Sequence, residues 1–422
     1  MQASKNYRWY VLGVLVLVYI VNFIDRQILA ILLPLIKADL GFSDTALGFL
    51  TGFAFAIFYV TLGFPAAWLA DRGSRQRIIS IAVLLWSAMT AATALANTFV
   101  QMALCRIGVG VGEAGCTPPA HSLISDYFPR EERGTALGIY NLGFSFGVLI
   151  GFAAGGWVGE TLGWRWAFFW AGMPGLLLSI LVWTTVKEPV RRVAVQSPAT
   201  DQPTLPDVLR FLLSQRAFVH LVIAASLTNL AYIGGLQWIP SFFNRSHGLS
   251  PAEVGIRLAL VTGLVGGLGP LLGGVLTDYF GRRDMRWYVW LPGLGTVLAT
   301  PFVVGAFLWP TSGGALLFLT VPASLGALGV APLYAATRHL AHARMRAFAA
   351  ASILFAINLV GLGFGPQLIG ILSDILAPRY GIDSLRYALV AIMSIGTLYP
   401  ALHFWLCART LQADVERAER FV

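Results

Sequence analysis

The sequence has few charged residues. Asp, Glu, Lys and Arg make up 12% of its 422 residues, whereas soluble domains carry about 25%. Hydrophobic residues make up 57%, and the mean hydropathy is +0.72. A soluble globular protein of this length needs a charged surface, so the composition excludes that class and indicates a protein that crosses the membrane many times.

Residues that build disulfides, metal sites and many enzyme active sites are also scarce. The three cysteines, Cys105, Cys116 and Cys407, lie in apolar stretches without a CxxC pair, which predicts inert thiols. Of the six histidines only His339 and His342 are close in sequence, and no acidic cluster accompanies them. The sequence contains no GxxxxGK[ST] phosphate-binding loop. We therefore expect no cofactor, no metal site, no ATP site and no enzymatic activity.

Apolar segments alternate with short polar connections along the chain. Most of them exceed the roughly 20 residues that a helix needs to cross a bilayer. The twelve predicted segments are 8–36, 44–70, 78–97, 98–125, 134–157, 165–186, 217–243, 251–278, 287–308, 314–338, 346–375 and 384–408. A polar, Pro-rich stretch after the sixth segment predicts a cytoplasmic linker over 189–213. The sequence thus predicts an all-α membrane protein with six-helix bundles at 1–188 and 214–422.

The net charge of +9 does not indicate nucleic-acid binding, because the basic residues fall in short loops rather than on one face. If the N-terminus is cytoplasmic, 21 of the 29 Lys and Arg residues fall on the cytoplasmic side and six on the opposite side. An excess of Lys and Arg in short loops marks the cytoplasmic side of a helical membrane protein. We therefore predict that both termini are cytoplasmic.

A short pattern follows the second segment of each half. Segment two is followed by Ala67-Trp-Leu-Ala-Asp71-Arg-Gly-Ser-Arg75, and segment eight by Gly274-Val-Leu-Thr-Asp278-Tyr-Phe-Gly-Arg282. The two aspartates are 207 residues apart. Ordinary basic turns would rarely repeat such a pattern at the same place, so it indicates two duplicated halves.

These paired loops resemble the cytoplasmic loop motif of the major facilitator superfamily, and the resemblance covers the whole chain. Segment five, Gly147-Val-Leu-Ile-Gly151-Phe-Ala-Ala-Gly155-Gly156, is similar to the Gly-rich fifth-helix motif of exporters in that superfamily, with Phe152 where a proline is usual. The resemblance implies the major facilitator fold, with twelve transmembrane helices in two pseudo-symmetric six-helix bundles. It also implies transport by alternating access.

Three motifs of the first half resemble the Spinster family within that superfamily. They are Asn22-Phe-Ile-Asp25-Arg26, Asp71-Arg72-Gly-Ser-Arg75 and Arg106-Ile-Gly-Val-Gly-Val-Gly-Glu113-Ala. Eukaryotic Spinster proteins include lysolipid and sphingosine 1-phosphate transporters. The compact loops resemble a bacterial member, which implies the inner (plasma) membrane. The resemblance also implies substrate or proton roles for the four charged residues of the first and third motifs.

Those four residues, Asp25, Arg26, Arg106 and Glu113, are the only charged side chains that we predict deep in the membrane. Each costs roughly 3 kcal/mol or more to insert, so such residues are functional by default. Arg106 and Glu113 are two helical turns apart on one face, about 10 Å along the axis. The glycines between them allow close approach of a helix or a substrate. The alternative is that the four residues form two ion pairs that only fix helix packing.

The resemblance makes segments one and four neighbours, which limits how the four charges pair. We expect Asp25, Arg26 and Arg106 at a similar depth, with Glu113 one to two turns nearer the cytoplasm. Asp25 would pair with Arg106 and leave Arg26 nearer the cavity, or the reverse. Glu113 then has no fixed partner, so it can carry the coupled proton and compete with substrate for Arg26 or Arg106. Asp25 is the alternative proton carrier.

Further predictions concern residues outside this group. Asn229 in segment seven lines the other half of the cavity and binds substrate, or makes an interhelical hydrogen bond. At the cytoplasmic side, Asp71 contacts the N-terminus of segment eleven and Arg75 reaches Asp126. The predicted gate residues are Asp71, Arg75, Asp126, Asp278 and Arg282. The run Gly361-Leu-Gly363-Phe-Gly365-Pro366 predicts a bend in segment eleven.

These observations predict a proton-coupled secondary transporter that exports a lipid-like or amphipathic molecule, such as a lysolipid or a sphingosine 1-phosphate-like compound. A cavity with one charged and one apolar wall suits an anion with a tail. The alternatives are a proton-linked multidrug or metabolite exporter, an uncoupled facilitator of the same superfamily, and a lipid-binding receptor without flux. We expect a monomer in contact with membrane lipids, with no nucleic-acid partner.

Overall fold

A computed structural model describes residues 4–189, 205–342 and 345–420, which form helices joined by short turns. The first half contains eight helices within the described residues. Their bounds are Lys5–Leu40 (α1), Asp44–Thr51 (α2), Phe53–Arg72 (α3), Arg75–Thr93 (α4), Phe99–Ala114 (α5), Thr117–Tyr127 (α6), Arg130–Leu162 (α7) and Trp164–Thr185 (α8).

The second half contains ten α-helices in its described part, with a π-helical turn inside two of its segments. The α-helices are Leu205–Ser214 (α9), Arg216–His247 (α10), Pro251–Leu258 (α11), Gly266–Gly281 (α12), Trp287–Leu308 (α13), Ser312–Ala327 (α14), Val330–His339 (α15), Arg346–Asn358 (α16), Gly365–Tyr380 (α17) and Ser384–Glu419 (α18). The π-helical turns are Ala259–Val265 and Leu359–Phe364, and a 3-10 turn covers Gly381–Asp383.

All twelve predicted segments are helical, which confirms the predicted fold class. Seven are single helices: α1, α4, α7, α8, α10, α13 and α18. The other five are interrupted, as in the pair α2 and α3. By length and hydropathy, nine stretches of the described chain can span a membrane, and one of them, Phe348–Glu419, covers the last two segments.

The turn after the first helix of each half is built in the same way. Gly41 follows α1 with a φ of 67°, and Gly248 follows α10 with a φ of 66°, a conformation that favours glycine because it lacks a Cβ. Two residues later, the hydroxyl of Ser43 or Ser250 accepts a hydrogen bond from a first-turn backbone N–H and caps the next helix. The glycines, like the serines, are 207 residues apart.

Both halves are also interrupted at the same place in their second segment. Gly52 separates α2 from α3, and the π-helical turn of segment eight begins at Ala259. Gly52 precedes Asp71 by 19 residues, and Ala259 precedes Asp278 by 19 residues. The structure therefore supports a duplication whose register extends from the first turn of each half to the repeated aspartate.

The chain divides into two compact units. The first comprises Met1–Ala194 with Gln237–Gly263, and the second comprises Val195–Leu236 with Leu264–Val422. The first unit thus includes the end of α10 and all of α11, whereas the predicted boundaries at 188 and 214 follow the polar, Pro-rich stretch between the sixth and seventh segments. Most of the predicted linker, residues 190–204, lies outside the described residues.

In the first unit, α7 packs along α1 through a ladder of glycines. A Cβ on Gly147 would lie 2.6 Å from the carbonyl oxygen of Ile20, and one on Gly151 would lie 3.0 Å from the Cβ of Gln27. The ladder comprises Gly143, Gly147, Gly151, Gly155 and Gly159. The Gly-rich motif of segment five therefore lets the two helices approach closely.

In the second unit, α9 is a helix that the sequence analysis did not predict. Its Val208, Phe211 and Leu212 are buried in a core that also contains Leu411 and Val415 of α18. The prolines and polar residues before α9 made the stretch resemble a linker throughout. The apolar residues at i, i+3 and i+4 were the signal for this helix.

Candidate functional site

The four charged residues that the sequence singles out lie together in the first unit. Asp25 and Arg26 are on α1, and Arg106 and Glu113 are on α5. Asp25, Arg106 and Glu113 are 0%, 3% and 1% exposed. The Arg26 side chain keeps 14% of its surface exposed, so it is the member of the group that a solute reaches most easily.

Arg26 forms an ion pair with Glu113. Its Nε and Nη2 atoms lie 2.7 Å and 2.6 Å from the same carboxylate oxygen, Oε2. The prediction that Glu113 has no fixed partner is therefore wrong. We expected Glu113 to lie one to two helical turns nearer the cytoplasm than Arg26. The lengths of the two side chains together bridge this difference in depth.

Asp25 accepts a hydrogen bond from the Thr90 hydroxyl of α4, with Oδ2 and Oγ1 3.1 Å apart. No ion pair within 4 Å joins Asp25 to Arg106 in the described part of the chain, so the expected pairing of these two residues is also wrong. Adjacent positions on a helix point about 100° apart. Here that rotation directs Asp25 toward α4 and Arg26 toward α5.

Aromatic rings lie beside the two arginines. The guanidinium carbon of Arg26 lies 5.0, 4.9 and 4.7 Å from the ring centres of Phe23, Phe55 and Tyr59. That of Arg106 lies 5.6 Å from the ring of Phe55. Each such cation–π contact contributes about 0.5–2 kcal/mol. Phe55 therefore helps to hold both cations.

The glycines of α5 bring these groups together. A Cβ on Gly110 would lie 2.6 Å from the carbonyl oxygen of Phe55, and one on Gly112 would lie 2.7 Å from the backbone nitrogen of Trp86. Any larger residue would push α5 away from α3 and α4. The predicted close approach at these glycines is confirmed, and the approaching groups belong to neighbouring helices.

Several polar atoms of the group have no hydrogen-bond partner among the described residues. They are Oδ1 of Asp25, Nε of Arg106 and Oε1 of Glu113. Buried polar atoms are usually paired, so unpaired ones at a candidate site indicate a place where a proton or a ligand binds. The arrangement can therefore hold a proton on a carboxylate and an anion beside Arg26.

The predicted contact between Arg75 and Asp126 is present, with Nη1 and Oδ2 2.6 Å apart. The sequence analysis missed a second partner, Glu188, whose Oε1 lies 2.7 Å from Nε of Arg75. Glu188 also accepts a hydrogen bond from the backbone nitrogen of Gln76 in the first turn of α4. A carboxylate at a helix N-terminus is stabilised by the unpaired N–H groups there. Glu188 is too far from α4 in the sequence for this contact to be predicted.

The structure does not test the gate roles predicted for Asp71, Asp278 and Arg282. The side chain of Asp71 lies outside the part that the structure describes. Asp278 and Arg282 are exposed. Their roles in a gate stay predictions.

Asn229 makes the interhelical hydrogen bond that was one of its two predicted roles. Its Nδ2 donates to the carbonyl oxygen of Ile357, 3.0 Å away in α16. The predicted bend in segment eleven coincides with the π-helical turn Leu359–Phe364. A substrate contact for Asn229 stays a prediction.

Comparison with known proteins agrees with this architecture. The family model of the Major Facilitator Superfamily matches residues 15–366. An MFS-type efflux pump of Mycolicibacterium smegmatis is 33% identical over 407 residues, which cover 96% of this chain and 94% of that protein. A hexuronate transporter of Bacillus subtilis is 27% identical over 270 residues, 63% of this chain and 64% of that protein.

Among solved structures, a bacterial homologue of the human lysosomal transporter Spinster is similar to this chain. In its inward-facing, unoccupied conformation the TM-score is 0.87 at 30% sequence identity, covering 98% of this chain and 99% of that one. The resemblance to the Spinster family, drawn from three motifs of the first half, therefore extends over nearly the whole chain.

Proposed function

The chain belongs to the Major Facilitator Superfamily, and from that premise we propose that this transporter exports an amphipathic, lipid-like organic anion in a proton-coupled cycle. The observation that carries the proposal is the ion pair between Arg26 and Glu113. It joins a partly exposed cation to a buried carboxylate, so a proton that neutralises the carboxylate can control whether the cation binds an anion.

The proposed coupling depends on competition between Glu113 and the substrate for Arg26. When Glu113 is ionised, it holds the guanidinium through Oε2. A proton on Glu113 removes that negative charge and frees Arg26 for the anionic group of the substrate. Release of the substrate on the far side lets Glu113 lose its proton and pair with Arg26 again. Asp25 is the alternative proton carrier, since it is fully buried and its Oδ1 has no hydrogen-bond partner among the described residues.

Two features support an organic anion with an apolar part. Arg26 and Arg106 supply positive charge, and aromatic rings, including those of Phe23 and Phe55, surround them. The hexuronate transporter shows that a relative carries a carboxylated solute, whereas the Spinster resemblance favours a lysolipid or sphingosine 1-phosphate-like substrate. Substrate contacts are assigned to Arg26, Arg106 and Glu113.

A second candidate is a proton-linked multidrug or metabolite exporter. It is favoured by the similarity to the mycobacterial efflux pump, which covers nearly all of both chains. An uncoupled facilitator is the third alternative. In each case we propose a monomer in the bacterial inner membrane. The distribution of Lys and Arg supports an orientation with both termini cytoplasmic.

The test is flux of radiolabelled lysophosphatidic acid in proteoliposomes with an imposed pH gradient. Wild type should show flux that follows the gradient, and Glu113→Gln should lose that dependence. Glu132→Gln is the matched control, because Glu132 pairs with Arg8 outside the charged group. Gradient-dependent flux in Glu113→Gln would move the proton to Asp25. No flux from folded wild-type protein would reject this substrate class in favour of the second candidate.

A further inference from the structure

Segment eleven changes its helical register at a glycine-rich site. The π-helical turn Leu359–Phe364 joins α16 to α17 and is followed by Gly365 and Pro366. Proline has no N–H to donate, and its ring crowds the carbonyl four residues earlier, here that of Leu362. A π-helical turn is a rare element that occurs frequently at functional sites.

The side chain of Asn229 meets the backbone at the entrance to this turn. Its Nδ2 donates to the carbonyl of Ile357, two residues before the turn, at 3.0 Å. A Cβ on Gly361 would lie 2.0 Å from that Nδ2 and 2.7 Å from Cγ of Asn229. Gly361 is therefore required for the contact, and the contact fixes α10 to segment eleven at the irregular turn.

The same repeat position carries an asparagine in the first half. Asn22 precedes Asn229 by 207 residues, the spacing of the repeated turn glycines and serines. Asn22 is 3% exposed and lies beside Glu113. The positions equivalent to Asp25 and Arg26 are Tyr232 and Ile233, so the second half keeps the asparagine without the charges.

We infer that Asn229 is a positioning residue of the transport cycle, whose bond to Ile357 holds the π-helical turn of segment eleven in the form seen here. Release of this bond lets segment eleven change its bend, since a helix bends most easily where its regular hydrogen-bond ladder is interrupted. Asn229 thus acts on the backbone of segment eleven and leaves substrate binding to the charged residues. The transport part of this inference rests on the proposed function, whereas the structural part does not.

The structural part is tested by hydrogen–deuterium exchange on the purified protein. Asn229→Ala should speed amide exchange of residues 357–365 roughly fivefold, as loss of one net hydrogen bond implies. Gly361→Ala should do the same, because its methyl group displaces the Asn229 amide. Thr228→Ala is the matched control, since the Thr228 hydroxyl donates to the carbonyl oxygen of Ala224 within α10. Unchanged exchange in both variants would overturn the inference.

Flux of lysophosphatidic acid then separates positioning from binding. Asn229→Ala should lower the maximal rate at least about threefold and leave the half-saturating concentration unchanged. A raised half-saturating concentration with an unchanged maximal rate would make Asn229 a substrate ligand and overturn the inference. If wild type carries no lysophosphatidic acid, the proposed substrate fails, and the exchange experiment still decides whether Asn229 holds the turn.

Discussion

Arg26 and Glu113 meet at a single carboxylate oxygen. Both nitrogen atoms of the arginine that approach Glu113 lie within 2.7 Å of Oε2, and Oε1 has no hydrogen-bond partner in the described chain. One oxygen therefore holds the cation while the other is open to a proton. Protonation of Oε1 would weaken the ion pair without first displacing the arginine.

Arg26→Lys should lower the initial rate of transport at least about tenfold, although it keeps the charge. Lysine cannot place two nitrogen atoms on Oε2, and it lacks the planar guanidinium that lies within 5.0 Å of three aromatic ring centres. Initial rates in proteoliposomes measure the effect. Arg210→Lys is the control, because Arg210 is 82% exposed. A rate close to wild type would show that positive charge alone suffices at position 26.

Asp25→Asn should destabilise the protein by roughly 2 kcal/mol if Asp25 is ionised, because Arg106 then loses a negative neighbour in a buried place. Chemical denaturation in detergent measures this change. Thr90→Val removes only the hydrogen bond to Asp25 and should cost about 1 kcal/mol. A nearly neutral Asp25→Asn would mean that Asp25 carries a proton in the folded state, which bears on the identity of the proton carrier.

Glu188→Gln should destabilise the protein about as much as Asp126→Asn, by roughly 1–2 kcal/mol each. Both carboxylates bind Arg75, whose side chain is 4% exposed. Each substitution removes one of the two negative charges that neutralise this buried guanidinium. Thermal unfolding in detergent provides the measurement. Asp207→Asn, at an exposed ion pair, should have almost no effect. If Glu188→Gln left the unfolding temperature unchanged, the contact of Arg75 with Asp126 would be the one that stabilises the protein.

Two glycines of α7 should respond to alanine with opposite signs. Gly147→Ala should cost about 1–3 kcal/mol, because the new Cβ would lie 2.6 Å from the carbonyl oxygen of Ile20. Gly138→Ala meets nothing within 4 Å and should gain about 0.5–1 kcal/mol of helix stability. Unfolding of both variants under one condition measures the difference. Equal effects would show that α1 and α7 do not pack closely at Gly147.

The sequence predicted the fold well because its signals are local and strong. Apolar length defines each segment, and the repeated aspartates reveal the duplication. The helix α9 escaped prediction because its apolar positions fill a core formed with the distant α18. A short amphipathic stretch among prolines resembles a linker until its partner is known.

The charged residues of the site were predicted correctly as a group, but their partners were not. The similar depths expected for Asp25 and Arg106 in the membrane suggested that these two residues would pair. Side-chain length and direction decided otherwise, and Arg26 reaches Glu113 while Asp25 turns to Thr90. Glu188 was missed because it is 113 residues from Arg75, and no sequence spacing joins them.

The turns of the two halves match residue for residue at Gly41 and Gly248, yet in the described parts of the chain the buried charges occupy the first half alone. The residues that determine the turns are therefore different from the residues that carry the buried charges. A descendant of this chain could exchange its cargo through substitutions on α1 and α5 while every turn that sets the architecture stays as it is. The described part of the second half lacks these buried charges, so its apolar surface could diverge without changing the charged group of the first half.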